Sequence, residues 1–580
     1  MGAIYGYTGP IDRTLRDRID AVLRHRGSEG VMLAEAATGT LGYRARHDAA
    51  TRIRFGSGLF AEDDCAIAVA GCVTAPTPHE RLLPDLLQSY REHGPAFVKS
   101  LNGAFVIAVR DGSTIHLFRD GAGQRTVYYG CHNGRFIFAV EPKGVLAVPG
   151  FPRRLRPGAV AQYLTFSFVP GAATMLQDLQ ELPAGHWVSC DGTGAPELHR
   201  HFRFEDAAAE DLSEDDWVER FRSEFADAVT RRLPDDDDVG LFLSGGVDSS
   251  VVAAELVRQR GPGLRTYAIH FGKDTPNELE FASAVARRLG TDHHEVQMTP
   301  RDFLPRLRQM IWHLDDPIGD PITMPNYELA ARAAQDVRWI FNGEGGDPLF
   351  GGPKNIPMML HHWYGGIDRD PHFRERAYLA SYRRCYDDLA RLLTPEWRAQ
   401  YDEAAELQDV LTPFFTCARP AGLLDKLAAI NIRLKGAHLI LPKVERMTAA
   451  WGLTVMSPLF DPKLIELSFR MPSTLKLRRG IEKVILKRAY QDALPAEIIA
   501  RPKSGMRVPV HYWFQTAMKR YAKKLLSPRE LRRTGIFDPA RVKQLLAYDT
   551  EEGPGRYGLK LWMLMTFEIW RRIVVDGEPV

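Results

Sequence analysis

Short apolar runs broken by Gly, Asp and Asn fill residues 1 to about 195: Cys65-Ala-Ile-Ala-Val-Ala70, Ala104-Phe-Val-Ile-Ala-Val109, Thr114-Ile-His-Leu-Phe118 and Arg135-Phe-Ile-Phe-Ala-Val140. Each is of strand length, and the helix-period stretch Leu82 to His93 lies among them, so the pattern predicts layered sheets with helices. From Ser213 a capping-box-like Ser-Glu-Asp-Asp precedes Trp217-Val-Glu-Arg-Phe, where the apolar spacing becomes helical. The acidic stretch Asp206 to Glu214 marks the boundary, giving domains 1–205 and 206–580. Strands are then expected at Val239–Leu243, Arg265–Phe271, His294–Met298 and Val337–Asn342. Helices are expected from about Val247, over Glu278–Leu289, and near 302–313 and 325–335. This alternation predicts a doubly wound parallel sheet. Beyond about residue 355 the pattern is almost all helical, most clearly at Gly480 to Tyr490 and Tyr557 to Val574. The fold class is α/β: a layered α+β domain, then a parallel-sheet domain with a helical C-terminal part.

Composition narrows the function classes. The 580 residues carry 75 Lys+Arg against 73 Asp+Glu, a net charge of +2, which gives no electrostatic reason to expect nucleic acid as partner. No apolar run approaches the roughly 18 residues of a membrane span. The opening Met1-Gly-Ala-Ile-Tyr-Gly6 lacks a secretion pattern. The six cysteines form no Cys-x-x-Cys pair or regular framework, so the expectation is a cytoplasmic protein with free thiols. Asp235–Asp238 is read as a solvated turn, and His293-His294 and His361-His362 as packing or surface residues, because neighbours on a strand point to opposite faces.

The strongest chemical motif is Val239-Gly-Leu-Phe-Leu-Ser244-Gly245-Gly246-Val247-Asp248-Ser249-Ser250. An apolar strand delivers a Ser/Gly turn into a helix, aiming free N–H groups and the positive helix end at one spot. Ser244, Ser249 and Ser250 add hydroxyls. Asp248 would repel phosphate unless a divalent cation lay between, so the loop calls for Mg²⁺ as well as phosphate. It has neither the Gly-Lys-Ser/Thr of a Walker loop nor Gly-x-Gly-x-x-Gly. A second cluster, Asn342-Gly343-Glu344-Gly-Gly-Asp347-Pro-Leu-Phe-Gly-Gly352, again sets carboxylates beside glycines at a strand end, one suited to metal and one to proton transfer.

Ser-Gly-Gly-Val-Asp-Ser-Ser resembles the pyrophosphate loop of the adenylate-forming ATP pyrophosphatases, and the second cluster resembles the matching stretch of asparagine synthetases. The resemblance extends through Asn277-Glu-Leu-Glu-Phe-Ala282, Leu314-Asp-Asp-Pro-Ile-Gly-Asp-Pro321, Met447-Thr-Ala-Ala-Trp-Gly452, Glu482-Lys-Val-Ile-Leu-Lys-Arg488 and Arg501-Pro-Lys503-Ser-Gly505. It implies ATP and Mg²⁺ as cofactors, with residues Ser244 to Ser250 and Gly343 binding ATP and pyrophosphate. Asp248 and Asp347 fall on the family's magnesium-pyrophosphate aspartates, Glu344 on its catalytic glutamate and Lys503 on the lysine that neutralises developing charge; Glu445 is a second candidate for proton transfer. Leu453-Thr-Val-Met-Ser457 departs from the family's Glu-x-Arg.

Arg24-His-Arg-Gly27, Leu41-Gly-Tyr-Arg44, Leu101-Asn-Gly-Ala-Phe105 and Ala139-Val-Glu-Pro-Lys143 look like the glutaminase domain of those synthetases, implying an Ntn-hydrolase-like fold. That domain uses a cysteine at position 2. Here the residue is Gly2, and the glutamine-binding stretches are replaced around Ala70–Ala75 and Pro78-His-Glu80. The expected enzyme therefore adenylates a carboxylate and couples it to an amine without glutamine hydrolysis, as the glutaminase-deficient lasso-peptide cyclases and β-lactam or carbapenam synthetases do. Macrolactam formation in a peptide leads, with a precursor peptide and its processing protease as partners. Small-molecule amide or lactam formation, ammonia-dependent asparagine formation and a non-catalytic scaffold are the alternatives.

Overall fold

The computed structural model describes residues 2–47, 49–74, 81–272, 275, 278–352, 358–359, 370–382, 384–502, 505–548 and 554–580. Lys503, Pro78-His-Glu80 and His361-His362 lie outside them.

Two six-stranded sheets form the N-terminal half. One runs in the order Gln180–Glu181, Tyr128–His132, Arg135–Ala139, Ala3–Thr8, Gly39–Arg44, Val31–Ala36; the other runs Glu197–Arg200, His186–Cys190, Thr114–Arg119, Asn102–Asp111, Cys65–Thr74, Gly58–Glu62. The strand pairings within both are antiparallel. The strand Cys65–Thr74 shows why its run reads as continuously apolar. Ala66, Ala68 and Ala70 join the large core that also holds Tyr5 and Tyr7, while Ile67 and Val69 pack with Leu82, Leu86 and Leu87 of the helix Leu82–His93. Both faces are covered, so polar alternation is lost.

A capping box at Ser213 starts the helix Glu214–Thr230, with the Asp216 N–H donating to Ser213 Oγ at 3.2 Å. A five-stranded parallel sheet follows in the order Asp292–Gln297, Arg265–His270, Val239–Phe242, Trp339–Phe341, Thr454–Met456. Alternate residues enter different cores: Phe242, Tyr267 and Ile340 on one face, Leu241, Ala268 and Phe341 on the other. The helices Leu307–Leu314 and Thr323–Ala333 supply the first core, and Val247–Arg260 and Leu279–Leu289 the second, which makes the sheet doubly wound.

Two differences from the sequence reading have local causes. Residues 477–482 form a small hairpin, Leu477–Arg478 with Ile481–Glu482, and the helix begins only at Val484, because Gly480 turns the chain with a φ of +81° and Lys483 takes a φ of +57°. The fifth parallel strand, Thr454–Met456, has three residues and too short a pattern to be seen. The helical part contains Leu423–Ile430, a π-helical stretch Asn431–Ile440 and Leu441–Ala449, which follow one another without a break. Its middle docks on the N-terminal half: Arg119 donates to the Ala437 carbonyl at 2.9 Å, and Arg433 to the Ala184 carbonyl at 3.0 Å. No helix among the described residues is long and apolar enough to cross a membrane.

Candidate active site

The Ser/Gly loop leaves the C-terminal end of the central strand and enters the helix Val247–Arg260. Gly245 has a φ of +73°, and a Cβ there would lie 2.5 Å from the Ala282 nitrogen, so the turn excludes larger residues on both counts. Ser244 N–H donates to Ser249 Oγ at 3.2 Å, and Ser250 Oγ donates to the Gly246 carbonyl at 2.8 Å, holding the turn closed. Val247 is buried beneath it, at 6% exposure.

The second cluster arrives from the neighbouring strand. Asn342 takes the Met456 carbonyl through its backbone N–H and donates from Nδ2 to Ser457 Oγ at 3.0 Å, while its Oδ1 accepts the Glu344 N–H at 2.9 Å. Gly346 lies so close to Asp248 that a Cβ would stand 2.1 Å from Oδ1. This close approach brings Asp248 and Asp347 together, though they are 99 positions apart in the chain.

Between them stands a residue that motif reading passed over. Lys483, fully buried, donates to Asp248 Oδ2 at 2.6 Å and also contacts Asp347 Oδ1. Its only sequence signal is the Glu482-Lys-Val-Ile-Leu-Lys-Arg run, where it is one of two lysines. Two carboxylates already bridged by one cation, beside the N-terminus of the helix Val247–Arg260, form a hard-oxygen donor set that fits Mg²⁺ with phosphate.

A cavity of about 540 Å³ opens from this point. Ser244, Asp248, Ser249, Gly343, Glu344 and Asp347 line one side, and Asp320, Asn326, Lys435 and Lys443 another. Lys443 Nζ holds Asp320 Oδ2 at 2.8 Å. Burial alone would raise the Asp320 carboxyl, but Lys443 and Arg384 overrule it and hold its pKa below the usual range. Lys503 lies outside the described residues; on one side of it Arg501 meets the Gly245 carbonyl at 3.5 Å and stacks 3.7 Å over Phe281, and on the other Gly505 lines the cavity.

Glu445 is not brought to the cavity. It is buried against Arg26 of the N-terminal half, which donates to both of its oxygens, one at 3.0 Å, while Arg26 also meets Glu141. The reason is helical: Lys443 and Val444 face the cavity, and Glu445, one step round, faces the other half of the chain. Burial pushes its carboxyl up, yet Arg26 and Arg125 bring it down to about 2.

Around Gly2 the chain is closed. A Cβ on Gly2 would stand 2.0 Å from the Arg44 carbonyl oxygen. The space beside it, bordered by Arg26, Gly71, Arg125 and Glu445, measures about 10 Å³, room for no more than one water.

The chain is similar to known proteins over most of its length. A family model described as asparagine synthase matches residues 220–572, and one described as a glutamine amidotransferase domain matches residues 85–202. Asparagine synthetase [glutamine-hydrolyzing] 1 of Bacillus subtilis is 26% identical over 518 residues, covering 85% of this chain and 80% of that one. Asparagine synthetase B of Escherichia coli is 23% identical over 468 residues, covering 77% and 68%. The amidase chry2 of Gibberella zeae is 30% identical over 286 residues, covering 45% and 42%. Among solved structures, an allosteric regulatory enzyme of purine biosynthesis aligns with 50% of this chain and 80% of its own at 12% identity and a TM-score of 0.24.

Proposed function

Because the chain belongs to the asparagine synthase family, whose members are ATP-dependent, AMP-forming carbon–nitrogen ligases, we propose that it adenylates a substrate carboxylate and joins it to a substrate amine without hydrolysing glutamine. The observation that carries the first part is the meeting of Asp248 and Asp347 on Lys483 at the mouth of a cavity that Glu344 also lines. Gly2 supports the second: it has no nucleophile, and the backbone leaves no room for one.

Asp248 and Asp347 would hold Mg²⁺, which supplies charge neutralisation at the leaving pyrophosphate. The N–H groups and hydroxyls of the Ser244–Ser250 loop grip the terminal phosphates, and Lys483 adds a fixed positive charge beside them. The carboxylate oxygen attacks the α-phosphorus of ATP; the new C–O–P bond forms as the α–β bridging bond breaks and pyrophosphate departs. The amine nitrogen then attacks the acyl carbon, AMP leaves with the electron pair of the C–O bond, and Glu344 takes the proton that the nitrogen sheds. Lys503 is assigned the charge that grows on the α-phosphate during the first step.

Macrolactam formation within a peptide is the leading reading of the substrate, which would bring a precursor peptide and its processing protease as partners. The observation that favours it is the loss of a route for ammonia from glutamine at Gly2, which leaves the amine to the substrate itself. Small-molecule amide or lactam formation is the second reading, supported by the cavity volume of about 540 Å³. The test is pyrophosphate and AMP release with Mg-ATP, comparing aspartate plus ammonia, small amino diacids, and linear peptides with a free N-terminal amine and an internal Asp or Glu. Release with a peptide whose mass falls by one water supports a macrolactam cyclase; release with small acids alone removes that reading.

A further inference from the structure

Two cysteines 59 positions apart in the chain meet at one corner of the N-terminal half. Cys131 lies on the strand Tyr128–His132, directly across from Phe136 of the neighbouring strand and two residues after Tyr129. Those three positions share one face of the sheet. The rings of Tyr129 and Phe136, 5.6 Å apart, are buried in the core that also holds Cys190. Cys190 ends the strand His186–Cys190 of the other sheet, and the loop after it folds onto the same spot: a Cβ on Gly192 would stand 3.3 Å from the Phe136 nitrogen. Cys131 therefore points at Cys190, and the two thiols are hydrogen-bonded.

The pair is unequal. Among the described residues Cys131 is the one cysteine exposed to solvent, whereas Cys190 is 5% exposed. The Cys190 sulfur accepts the Gly192 N–H at 3.3 Å and lies 3.6 Å from the Gly194 carbonyl oxygen. The Cys131 S–H holds the Cys190 pKa below the usual thiol range against burial, and the Gly192 N–H acts in the same direction. An open thiol beside a sheltered, acidified one is the arrangement of an attacking and a resolving cysteine. The other four are placed differently: Cys65, Cys72 and Cys385 are buried, and Cys417, half-buried, gives its S–H to the Phe414 carbonyl at 3.0 Å.

We propose that Cys131 and Cys190 form a reversible oxidation site for hydroperoxides, closing to a disulfide that ties the two antiparallel sheets together. The Cys131 sulfur attacks a peroxide oxygen, the O–O bond breaks, and the thiol proton leaves with the departing alcohol, or with water when the oxidant is hydrogen peroxide. Cys131 then carries a hydroxyl as a sulfenic acid. The Cys190 sulfur attacks the Cys131 sulfur; the S–S bond forms, the S–O bond breaks, and the hydroxide takes the Cys190 proton and departs as water. The two cysteines lose two electrons and the peroxide gains them. A small dithiol reopens the bond and leaves as its own disulfide.

The test treats the full chain with a small molar excess of hydrogen peroxide, blocks remaining thiols with N-ethylmaleimide in denaturant, and maps the digest without reductant. A fragment joining Cys131 to Cys190, lighter by two hydrogens and separated by dithiothreitol, is the expected product. In Cys190→Ser the reaction should stop at a sulfenic acid on Cys131 that dimedone captures. In Cys131→Ser the buried Cys190 thiol should be lost about tenfold more slowly or less. The wild-type map decides the pairing by itself should either variant fail to fold. Cys131 left as a thiol, carried to a sulfinic acid without linkage, or joined to any other cysteine overturns the proposal. An equal rate of Cys190 loss in the wild type and in Cys131→Ser also overturns it, because the exposed thiol is then not the one that meets the peroxide.

Discussion

The Lys483 ammonium lies 2.6 Å from Asp248 Oδ2, with the lysine wholly removed from solvent. Asp347 shares the same nitrogen. The centre of the site therefore sets two carboxylates against one ammonium before any nucleotide arrives, and nucleotide with its cation must fit around a lysine that is already committed.

Replacing that lysine tests the arrangement. Lys483→Met should cut AMP formation by about 100-fold or more, because it removes a charge beside the leaving group. It should also lower the melting temperature of the free protein more than that of the Mg-ATP complex, since only the free protein then leaves two neighbouring carboxylates facing each other. Steady-state kinetics and thermal melts with and without Mg-ATP read both; an equal loss of stability in the two states would contradict the bridging role.

Gly245→Ala meets a forbidden backbone and a filled space together, at a φ of +73° with the Ala282 nitrogen 2.5 Å from the new carbon. A non-glycine residue in that region costs about 1–3 kcal/mol before any clash. The KM for Mg-ATP should rise about tenfold or more. Gly261→Ala, at a φ of +86° but facing open space far from the loop, should lower stability without that rise and so separates strain from phosphate binding.

Gly2→Cys should not restore glutamine hydrolysis, because its Cβ would stand 2.0 Å from the Arg44 carbonyl oxygen and the adjoining space is about 10 Å³. Glutamate release from glutamine is the measurement. Steady turnover by the single variant would show that the pocket can reopen.

Glu445 makes a pH prediction whose sign follows from its depressed pKa. Buried, but held down to about 2 mainly by Arg26, it contributes stability that is complete above the ordinary glutamate pKa of about 4.5 and lost as pH falls toward about 2. The linked free energy is on the order of 3 kcal/mol. Glu445→Gln should be less stable than the wild type at pH 7 and should lose less between pH 4.5 and 3, by urea unfolding at each pH. Parallel losses in the two proteins would show that the Arg26 pair does not anchor the two halves.

Much of the site was legible because its elements are local. Ser244 to Ser250 name their own turn through glycines and hydroxyls, and Asn342 to Asp347 do the same at the next strand end. The parallel sheet followed from the order of its apolar runs. The short strand Thr454–Met456 and the hairpin at 477–482 were missed because three-residue and two-residue elements are decided by their neighbours rather than by a pattern of their own. Residue type alone sets Glu445 among the candidates for proton transfer, yet its side chain turns the other way on its helix and meets Arg26, 419 positions distant.

The amino-acid sequence by itself determined the phosphate loop, the paired carboxylate motif and the missing nucleophile at position 2, since each depends on residue type and on backbone shapes set within a few neighbours. Tertiary structure alone decided that Lys483 bridges the two aspartates, that Lys435 and Asn326 face the cavity, and that Glu445 anchors the N-terminal half. A lysine or glutamate takes its role from the charges and the dielectric around it. Here those charges come from segments hundreds of positions away, brought within about 3 Å only when the two halves and the long helix pack together.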